Sequence, residues 1–396
     1  MMKAMKDSER NGSRASMMAA LSVAIAMLAL AILASSALAL GAGAQPQPRQ
    51  EAAQESVQGV LDRIESALDA SDPAELRDAA MGNVGLADSR VDDYIEMGVK
   101  AELDGRSGDA AGYFNRAESL AQVTNELGAG GAALDRVGQA RQWQDPQRQA
   151  YAEAREWQDK GLEALGVNDM EAAIDPYDRA ADLYDKIGYD HGVAAVRNIQ
   201  GETLDRLDRP VEAAEKLRQS VDLYERLDDV NGWARSSGAL GSTYAALGRV
   251  DEATAQFRRA SELSGRVNDR VLQAQNLARY GRFLSSTGQH LEAVKALEDS
   301  VRLAELGSNR IEQATNLRYL SESYMEVGQY QDAMNSARSS MSALQRLDLE
   351  QMLESSLGSD SMLRRATDVL GIQNSFDLKR SLDSLQREIL KRMSQQ

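Results

Sequence analysis

Glycine recurs along the chain at an interval of 40 residues, at Gly161, Gly201, Gly241 and Gly281, and Ser321 occupies the fifth position. Alanine follows each marker twelve positions later, and alanine or serine follows nineteen positions later. A larger apolar residue stands sixteen positions after four of the five markers. Because two helices approach closely only where side chains are small, this pattern predicts a tandem array of helical hairpins.

The composition agrees with a helical fold. Only 5% of the residues are aromatic and only six are proline. No segment alternates in the manner of strands rich in β-branched residues. Turn residues recur within hairpins, as at Gly248-Arg249, and between them, as at Asn268-Asp269. We therefore expect an all-α fold.

One copy of the repeat reads Leu240-Gly241-Ser242-Thr243-Tyr244-Ala245-Ala246-Leu247-Gly248, followed by Glu252-Ala253, Phe257 and Ala260. This order of residues resembles the tetratricopeptide repeat (TPR). The interval exceeds the common form of about 34 residues and is similar to TPR adapters of the kinesin-light-chain type. The resemblance implies a right-handed α-α superhelix, a TPR solenoid. Within it, Trp157, Tyr177 and Phe257 are expected to be core residues.

A second match, from Tyr94 to Leu120, stands apart, because the phase breaks between Gly98 and Gly161. We assign the intervening segment 132–143 to an additional helix. The predicted organisation is a signal peptide or membrane anchor in 1–44, a linker and N-terminal helices in 45–90, an isolated TPR-like repeat plus the extra helix in 91–146, five tandem repeats in 147–355, and C-terminal capping helices in 356–396. At the C-terminus, apolar residues at heptad spacing predict a capping helix, or alternatively a dimerising coiled coil, at Leu378, Leu382, Leu385 and Ile389.

The N-terminus has the features of a targeting signal. Residues 1–16 carry four basic and two acidic residues, and the uncharged stretch 17–40 follows. Ala42-Gly43-Ala44 satisfies the small-x-small rule for cleavage of a signal peptide. Uncleaved, residues 17–40 are long enough to span a bilayer. Both interpretations predict export across the membrane, with the rest of the chain secreted or at the periplasmic or extracellular face, and membrane contact only through this segment.

Several chemistries are disfavoured by the residue types present. The formal net charge of −16 argues against a nucleic-acid partner. Cysteine is absent, and the only histidines are His191, expected in a solvated turn, and His290. The segment Gly128 to Ala133 has dinucleotide-like spacing but follows a helix, so we interpret it as a loop. Asp228 to Gly232 resembles only half of a calcium loop. We therefore expect a protein that is not an enzyme and that has no cofactor or metal site. We interpret the acidic residues as solvated helix faces, and the alternative is a carbohydrate- or peptidoglycan-processing enzyme that uses carboxylates.

The resemblance also implies where a partner binds, since in TPR proteins the first helix of each pair lines a concave surface. Carried over by position, the candidate partner-binding residues are Arg155, Gln158, Asn198, Glu202, Asp205, Arg206, Arg235, Gln275, Arg282, Arg318 and Glu322, with Ser242, Ser285, Thr315 and Glu326 beside them. Three of these form a predicted basic strip suited to an acidic or C-terminal peptide, namely Arg235, Arg282 and Arg318. The Lys and Asn pattern that clamps a terminal carboxylate is missing at these positions. The sequence thus predicts an exported scaffold that binds a protein or peptide, and the alternative is a self-assembling structural or membrane-anchored envelope protein.

Overall fold

The computed structural model describes residues 57–304, 310–356, 384–389 and 391–392. The predicted signal or anchor segment 1–44 lies outside these residues, as do Leu378 and Leu382. Regular secondary structure in the described ranges is helical, as expected. None of the helices in those ranges is long and apolar enough to cross a bilayer.

Five helices and one π-helical turn precede the array. Their bounds are α1 Val57–Ala70, α2 Pro73–Ala80, α3 Val84–Leu103, α4 Ser107–Thr124, the π turn Asn125–Ala129, and α5 Ala132–Gln142. The segment 128–133, expected to be a loop, therefore ends a π turn and begins α5. The additional helix that we expected at 132–143 corresponds to α5.

The array consists of helices that alternate between the first and second member of each hairpin. The first members are α6 Asp145–Gly166, α8 Asp190–Arg206, α10 Val230–Ala246, α12 Arg270–Ser286 and α14 Arg310–Glu326. The second members are α7 Ile174–Lys186, α9 Pro210–Arg226, α11 Val250–Arg266, α13 His290–Ala304 and α15 Tyr330–Ser356. Each helix packs most extensively on its neighbours in the chain. The described part of the chain is thus an all-helical, TPR-like solenoid.

The marker glycines lie where the two helices of a hairpin cross. A Cβ at Gly161 would lie 2.7 Å from Cε1 of Tyr177, and one at Gly281 would lie 2.6 Å from Cγ of Leu297. Tyr177 and Leu297 are fully buried. The bulky residue sixteen positions after the marker therefore fills the space that glycine leaves open.

The turn inside each hairpin also follows the period of 40. Asn168, Asp208, Gly248, Gly288 and Gly328 all have positive φ, between 58° and 82°. In the third hairpin the Arg249 N–H donates to the Tyr244 carbonyl at 2.9 Å and closes the helix end. A left-handed residue at this position ends the first helix and reverses the chain, which favours glycine, asparagine or aspartate.

Buried serines join the two helices of a hairpin, and Ser300 also contacts the next hairpin. The hydroxyls of Ser220 and Ser300, nineteen residues after their markers, donate to the carbonyls of Ala194 and Ala274, each at 2.8 Å. Ser300 also accepts a hydrogen bond from Nδ2 of Asn316 at 3.2 Å. The small position of the repeat thus holds a polar contact within its own hairpin, and at Ser300 a second one with the next hairpin.

The N-terminal helices pack against the array through backbone contacts. The Asn268 N–H donates to the Leu127 carbonyl at 3.2 Å, and the Arg270 N–H donates to the Gly82 carbonyl at 3.1 Å. A Cβ at Gly128 would lie 2.5 Å from the Arg266 carbonyl oxygen. The glycines of this segment therefore allow two backbones to approach closely.

At the other end, the helical residues 384–389 cover the last hairpin. Leu385 and Ile389 are buried in one cluster with Met325, Ala333 and Met334. These two residues of the predicted heptad therefore act within the chain, as a capping helix does.

Candidate ligand-binding cleft

Four predicted partner-binding residues lie around one cleft of about 330 Å³, between α3 and the first helices of three hairpins. Arg155 and Gln158 are on α6, Asn198 is on α8, and Arg235 is on α10. Apolar contact area comes from three further residues, Leu162, Ala195 and Ile199. The opposite wall is α3, a helix that the repeat pattern does not place here.

Helix α3 is held across the starts of the array helices by polar contacts along its length. Nε and Nη2 of Arg155 contact Oε2 of Glu96 at 2.7 and 2.6 Å. At the other end, the Gly85 N–H donates to Oδ2 of Asp269 at 2.6 Å. The Asp269 side chain also caps α12 by accepting from the Leu272 N–H at 2.8 Å.

A buried ion network lies at the floor of the cleft. Arg136 of α5 is 3% exposed, and its guanidinium contacts Asp88 at 2.7 Å, Asp92 at 3.1 Å and Asp229 at 3.7 Å. Nε2 of His191 lies 2.6 Å from Nη1 of Arg136 and 2.9 Å from Oδ2 of Asp229. His191 is 8% exposed and belongs to α8, so the expectation of a solvated turn residue is wrong.

The pKa values of two carboxyl groups in this network, those of Asp88 and Asp229, shift in opposite directions. Burial raises the pKa of Asp88, and the neighbouring Asp229 and Asp92 raise it further, although Arg136 opposes them. Burial acts the same way on Asp229, but hydrogen bonding to His191 and the charge of Arg136 outweigh it and lower the Asp229 pKa. The interpretation of the acidic residues as solvated helix faces therefore fails at Asp88 and Asp229. Buried charges of this kind persist only when paired and hydrogen-bonded.

Three of these side chains also have the residue types of a metal site. One ligand atom each from Asp88, His191 and Asp229 lie within 4.8 Å of one another. However, the Arg136 guanidinium contacts all three residues. Because a fixed positive charge already occupies the centre of the group, the arrangement disfavours a bound metal ion.

The side-chain amide of Asn231 lies in the same cleft. Asn231 is 3% exposed, and neither Oδ1 nor Nδ2 has a hydrogen-bond partner among the described residues. The missing Cβ of Gly85 makes room beside it, since a Cβ there would lie 3.2 Å from Nδ2 of Asn231. A buried amide with an open donor and an open acceptor is uncommon, because leaving them unpaired costs free energy.

A second, smaller cleft of about 190 Å³ collects other predicted residues. Glu202, Asp205, Arg206 and Ser242 line it. Nη2 of Arg279 donates to Oε1 of Glu202 at 2.9 Å. Burial raises the pKa of Asp205, partly offset by a hydrogen bond from Thr243 and by the charge of Arg279. Of these groups, Glu202 and Arg279 form an ion pair.

The predicted basic strip is divided in the structure. Arg235 is exposed at the rim of the first cleft. The guanidinium groups of Arg282 and Arg318 instead lie 5.8 and 4.0 Å from the ring centroid of Tyr319, and Arg318 forms an ion pair with Glu322. The arginines therefore do not form one continuous strip.

The remaining candidates lie farther along the array. Gln275 is half-buried on α12. Ser285 accepts a hydrogen bond from the Ser323 hydroxyl at 3.1 Å, and Glu326 lies 3.2 Å from Arg392. Thr315 is part of α14. None of these four residues lines the larger cleft.

An aromatic cluster supports the larger cleft from the N-terminal side of the array. Trp143, Tyr151, Tyr184 and Tyr189 are buried, with ring centroids 4.9 to 5.9 Å apart. The Tyr184 hydroxyl donates to Oε1 of Gln158 at 3.1 Å and so orients a residue of the cleft. Tyr177 and Phe257 are buried as expected, whereas Trp157 is only half-buried, with Lys160 and Arg179 over its ring.

Comparison with known proteins agrees with the repeat. The family model described as tetratricopeptide repeat matches residues 233–305. The resemblance to TPR proteins is confirmed. No curated protein gives a significant match to the chain.

Three of the similar solved structures cover between half and most of this chain. A TPR-like kinesin light chain from Podosopora anserina is 17% identical over 52% of this chain and 99% of its own, with a TM-score of 0.42. A Rap protein complexed with Competence and Sporulation Factor is 12% identical over 86% of this chain and 92% of its own, with a TM-score of 0.47. A signal transduction ATPase with a TPR sensor from Pyrococcus horikoshii is 13% identical over 86% of this chain and 56% of its own, with a TM-score of 0.49.

The TPR pattern did not identify Asp88, Asp92, Arg136 or Asn231. The first three belong to α3 and α5, outside the tandem repeats, and Asn231 lies at the start of α10, a position that the family's pattern does not mark. One signal was available, because the phase of the repeat breaks between Gly98 and Gly161. A break of this kind frees the preceding hairpin from the stack and allows it to pack elsewhere.

Proposed function

We propose that this protein is an exported TPR scaffold that binds a peptide, or an extended segment of a partner protein, in the cleft between α3 and the array. The observation that carries the proposal is the amide of Asn231. It is buried, it lines the cleft, and both its donor and its acceptor are unpaired among the described residues. A peptide backbone offers the complementary N–H and C=O groups.

The rest of the cleft supports binding of an extended chain. Arg155 is held by Glu96, and Gln158 is oriented by Tyr184, so both polar groups have restricted positions before a ligand arrives. Leu162 and Ile199 supply apolar surface beside them. Polar groups that are positioned in advance lower the entropy cost of binding. TPR arrays are typical of protein interaction scaffolds, and we propose a binding rather than a catalytic role.

The binding proposal is tested by selection from a peptide library. Acetylated and amidated hexapeptides with all six positions randomised are incubated with the full chain, and the retained peptides are identified by mass spectrometry. We expect retained peptides to crosslink, through a photoreactive residue, to α3, α6, α8 or α10. We expect Asn231→Leu to lose at least about tenfold in affinity, because a pair of backbone hydrogen bonds is removed.

Asn335→Leu is the matched control, since Asn335 is exposed on α15. Unfolding curves of both variants verify that they are folded. Crosslinks confined to helices other than α3, α6, α8 and α10, or equal affinity for Asn231→Leu and the native chain, would contradict the proposed site.

Export is a separate part of the proposal and depends on residues 1–44. Their basic start, uncharged stretch and Ala42-Gly43-Ala44 motif support it. A reporter enzyme that is active only outside the cytoplasm, fused after Gln396, tests it. We expect reporter activity with the full chain and none after deletion of residues 17–40. N-terminal sequencing then distinguishes cleavage before Gln45 from an uncleaved membrane anchor.

A further inference from the structure

We infer that the ligand of this cleft carries a cationic side chain, an arginine or a lysine in an extended peptide, that lies against Asp88 and Asp92. This inference rests on the proposed function and specifies its ligand. It differs from the acidic peptide that the predicted basic strip favoured.

The first argument is the charge balance at the floor. Three carboxylates, Asp88, Asp92 and Asp229, face the guanidinium of Arg136 and the imidazole of His191. Asp269 is not counted in this balance, because its oxygens accept the Gly85 and Leu272 N–H groups and the Arg235 guanidinium lies beside the same glycine. A partly desolvated site with more carboxylates than cations attracts a further positive charge.

The second argument concerns the arginines around the cleft. Arg155 is neutralised by Glu96 at 2.6 Å, so it contributes little to the attraction of an anion. Arg235 is exposed at the rim, where solvent and salt screen its charge. A carboxylate ligand would therefore meet net negative charge at the floor, while a cation would meet unbalanced carboxylates.

The third argument is independent of charge and points to a peptide. The unpaired amide of Asn231 lines the same cleft as Asp88 and Asp92. Nδ2 and Oδ1 of Asn231 match one peptide unit, and the carboxylates on α3 match a side chain from that peptide. A free metal ion or a small amine would leave the amide unpaired.

The raised pKa of Asp88 agrees with this assignment. Burial is the main cause, and the neighbouring carboxylates of Asp229 and Asp92 add to it, although the charge of Arg136 lowers this pKa. A guanidinium or ammonium group at hydrogen-bond distance would relieve that repulsion.

The experiment measures side-chain preference at one fixed position. Four libraries of acetylated, amidated hexapeptides carry Arg, Lys, citrulline or Glu at the third position, with the others randomised, and binding to the full chain is compared by competition. Citrulline has nearly the shape of arginine but no charge. We expect Arg and Lys libraries to bind at least about tenfold more tightly than the citrulline and Glu libraries, as for a close charge pair in a half-buried site.

Two variants test the location of the effect. Asp92→Asn removes one carboxylate, and Ser89→Arg places a positive charge on the exposed rim of α3 without disturbing the buried network. Both are expected to reduce the preference for Arg over citrulline to less than about threefold. Asp182→Asn, on the exposed face of α7, is the control and should leave the preference unchanged.

The outcomes separate this inference from the proposed function. Equal binding of all four libraries, still lost in Asn231→Leu, leaves peptide binding intact and overturns the cationic ligand. Tighter binding of the Glu library also overturns it. If the folded chain retains no peptide from any library, the proposed function fails and the inference with it. Retention of the preference in Asp92→Asn and Ser89→Arg would overturn the assignment to α3.

Discussion

Individual residues of the repeat have roles that follow from the size of their side chains. Glycine at a marker position is required where a bulky side chain of the partner helix occupies the space a Cβ would need, as Leu297 does at Gly281. Other helical glycines, such as Gly112 of α4, have open space around them. Replacing glycine by alanine should therefore change the free energy of unfolding in opposite directions at the two kinds of position.

Gly281→Ala is expected to lower the free energy of unfolding by about 1–3 kcal/mol, because the added methyl overlaps the buried Leu297. Gly112→Ala is expected to raise it by up to about 1 kcal/mol through helix propensity. Urea denaturation followed by circular dichroism measures both. A stabilised Gly281→Ala variant would contradict the close crossing of α12 and α13.

A second prediction for a single residue concerns the stability of the chain at low pH. The hydrogen bond from Lys100 and the charge of Arg155 outweigh the effect of burial and lower the pKa of Glu96 below 4.5. A depressed carboxyl pKa contributes stability above the unfolded value, and this stability is lost as the pH falls through the folded pKa. The stability gap between the native chain and Glu96→Gln should therefore be present at neutral pH and shrink below about pH 4.5. The exposed Glu153→Gln is the control, and a gap that grows in acid would disprove the assignment.

At the scale of elements, the hairpins are joined by both apolar and polar contacts. Where the small residue nineteen positions after the marker is serine, its hydroxyl donates to a carbonyl 26 residues earlier, on the first helix of the same hairpin. The Ser300 hydroxyl also accepts from the Asn316 amide of the next hairpin. The serine-to-carbonyl bonds specify how the two helices of a hairpin are aligned, and the bond from Asn316 to Ser300 does so between neighbouring hairpins, because a shift would leave buried groups unpaired.

Ser300→Ala is expected to lower the free energy of unfolding by about 1–3 kcal/mol, since it leaves the Ala274 carbonyl and the Asn316 amide without this partner. The exposed Ser339→Ala on α15 should change it by less than about 0.5 kcal/mol. Denaturant midpoints measure both variants. Equal denaturant midpoints for Ser300→Ala and Ser339→Ala would show that the buried Ser300 hydroxyl adds nothing to the packing of these helices.

At the scale of the described molecule, the N-terminal helices close onto the array and so create the cleft. A Cβ at Gly130, where φ is +91°, would overlap the Asp228 carbonyl oxygen. The neighbouring Gly131 has open space and a φ of −78°. Because only Gly130 lies close to another backbone segment, substitutions at Gly130 and Gly131 can be compared to test this contact.

Gly130→Ala is expected to weaken this docking, with a strain of about 1–3 kcal/mol from the backbone conformation alone. Hydrogen exchange of the Asn268 and Arg270 amides, which donate to Leu127 and Gly82, should become faster. Gly131→Ala should leave their exchange unchanged. If the Asn268 and Arg270 amides exchange at the native rate in Gly130→Ala, the backbone contact at Gly130 does not hold the N-terminal helices on the array.

The sequence by itself determined the helical array, the interval of 40, and the positions of crossings, turns and buried cores. It could do so because contacts within a hairpin are local and recur with the repeat, so spacing alone reveals them. The resemblance to the tetratricopeptide repeat further implied one surface for Arg155, Gln158, Asn198 and Arg235, and these residues line one cleft in the structure.

Only the tertiary structure decided what faces those residues. The bond between Gly85 and Asp269 joins positions 184 apart in the chain, and Arg136 meets His191 across 55 residues. Such contacts depend on how the non-periodic helices α3 and α5 fold back onto the array, and no spacing rule encodes that path. For this reason His191 is buried rather than solvated, and the cleft floor is acidic although the pattern of arginines favoured an acidic ligand.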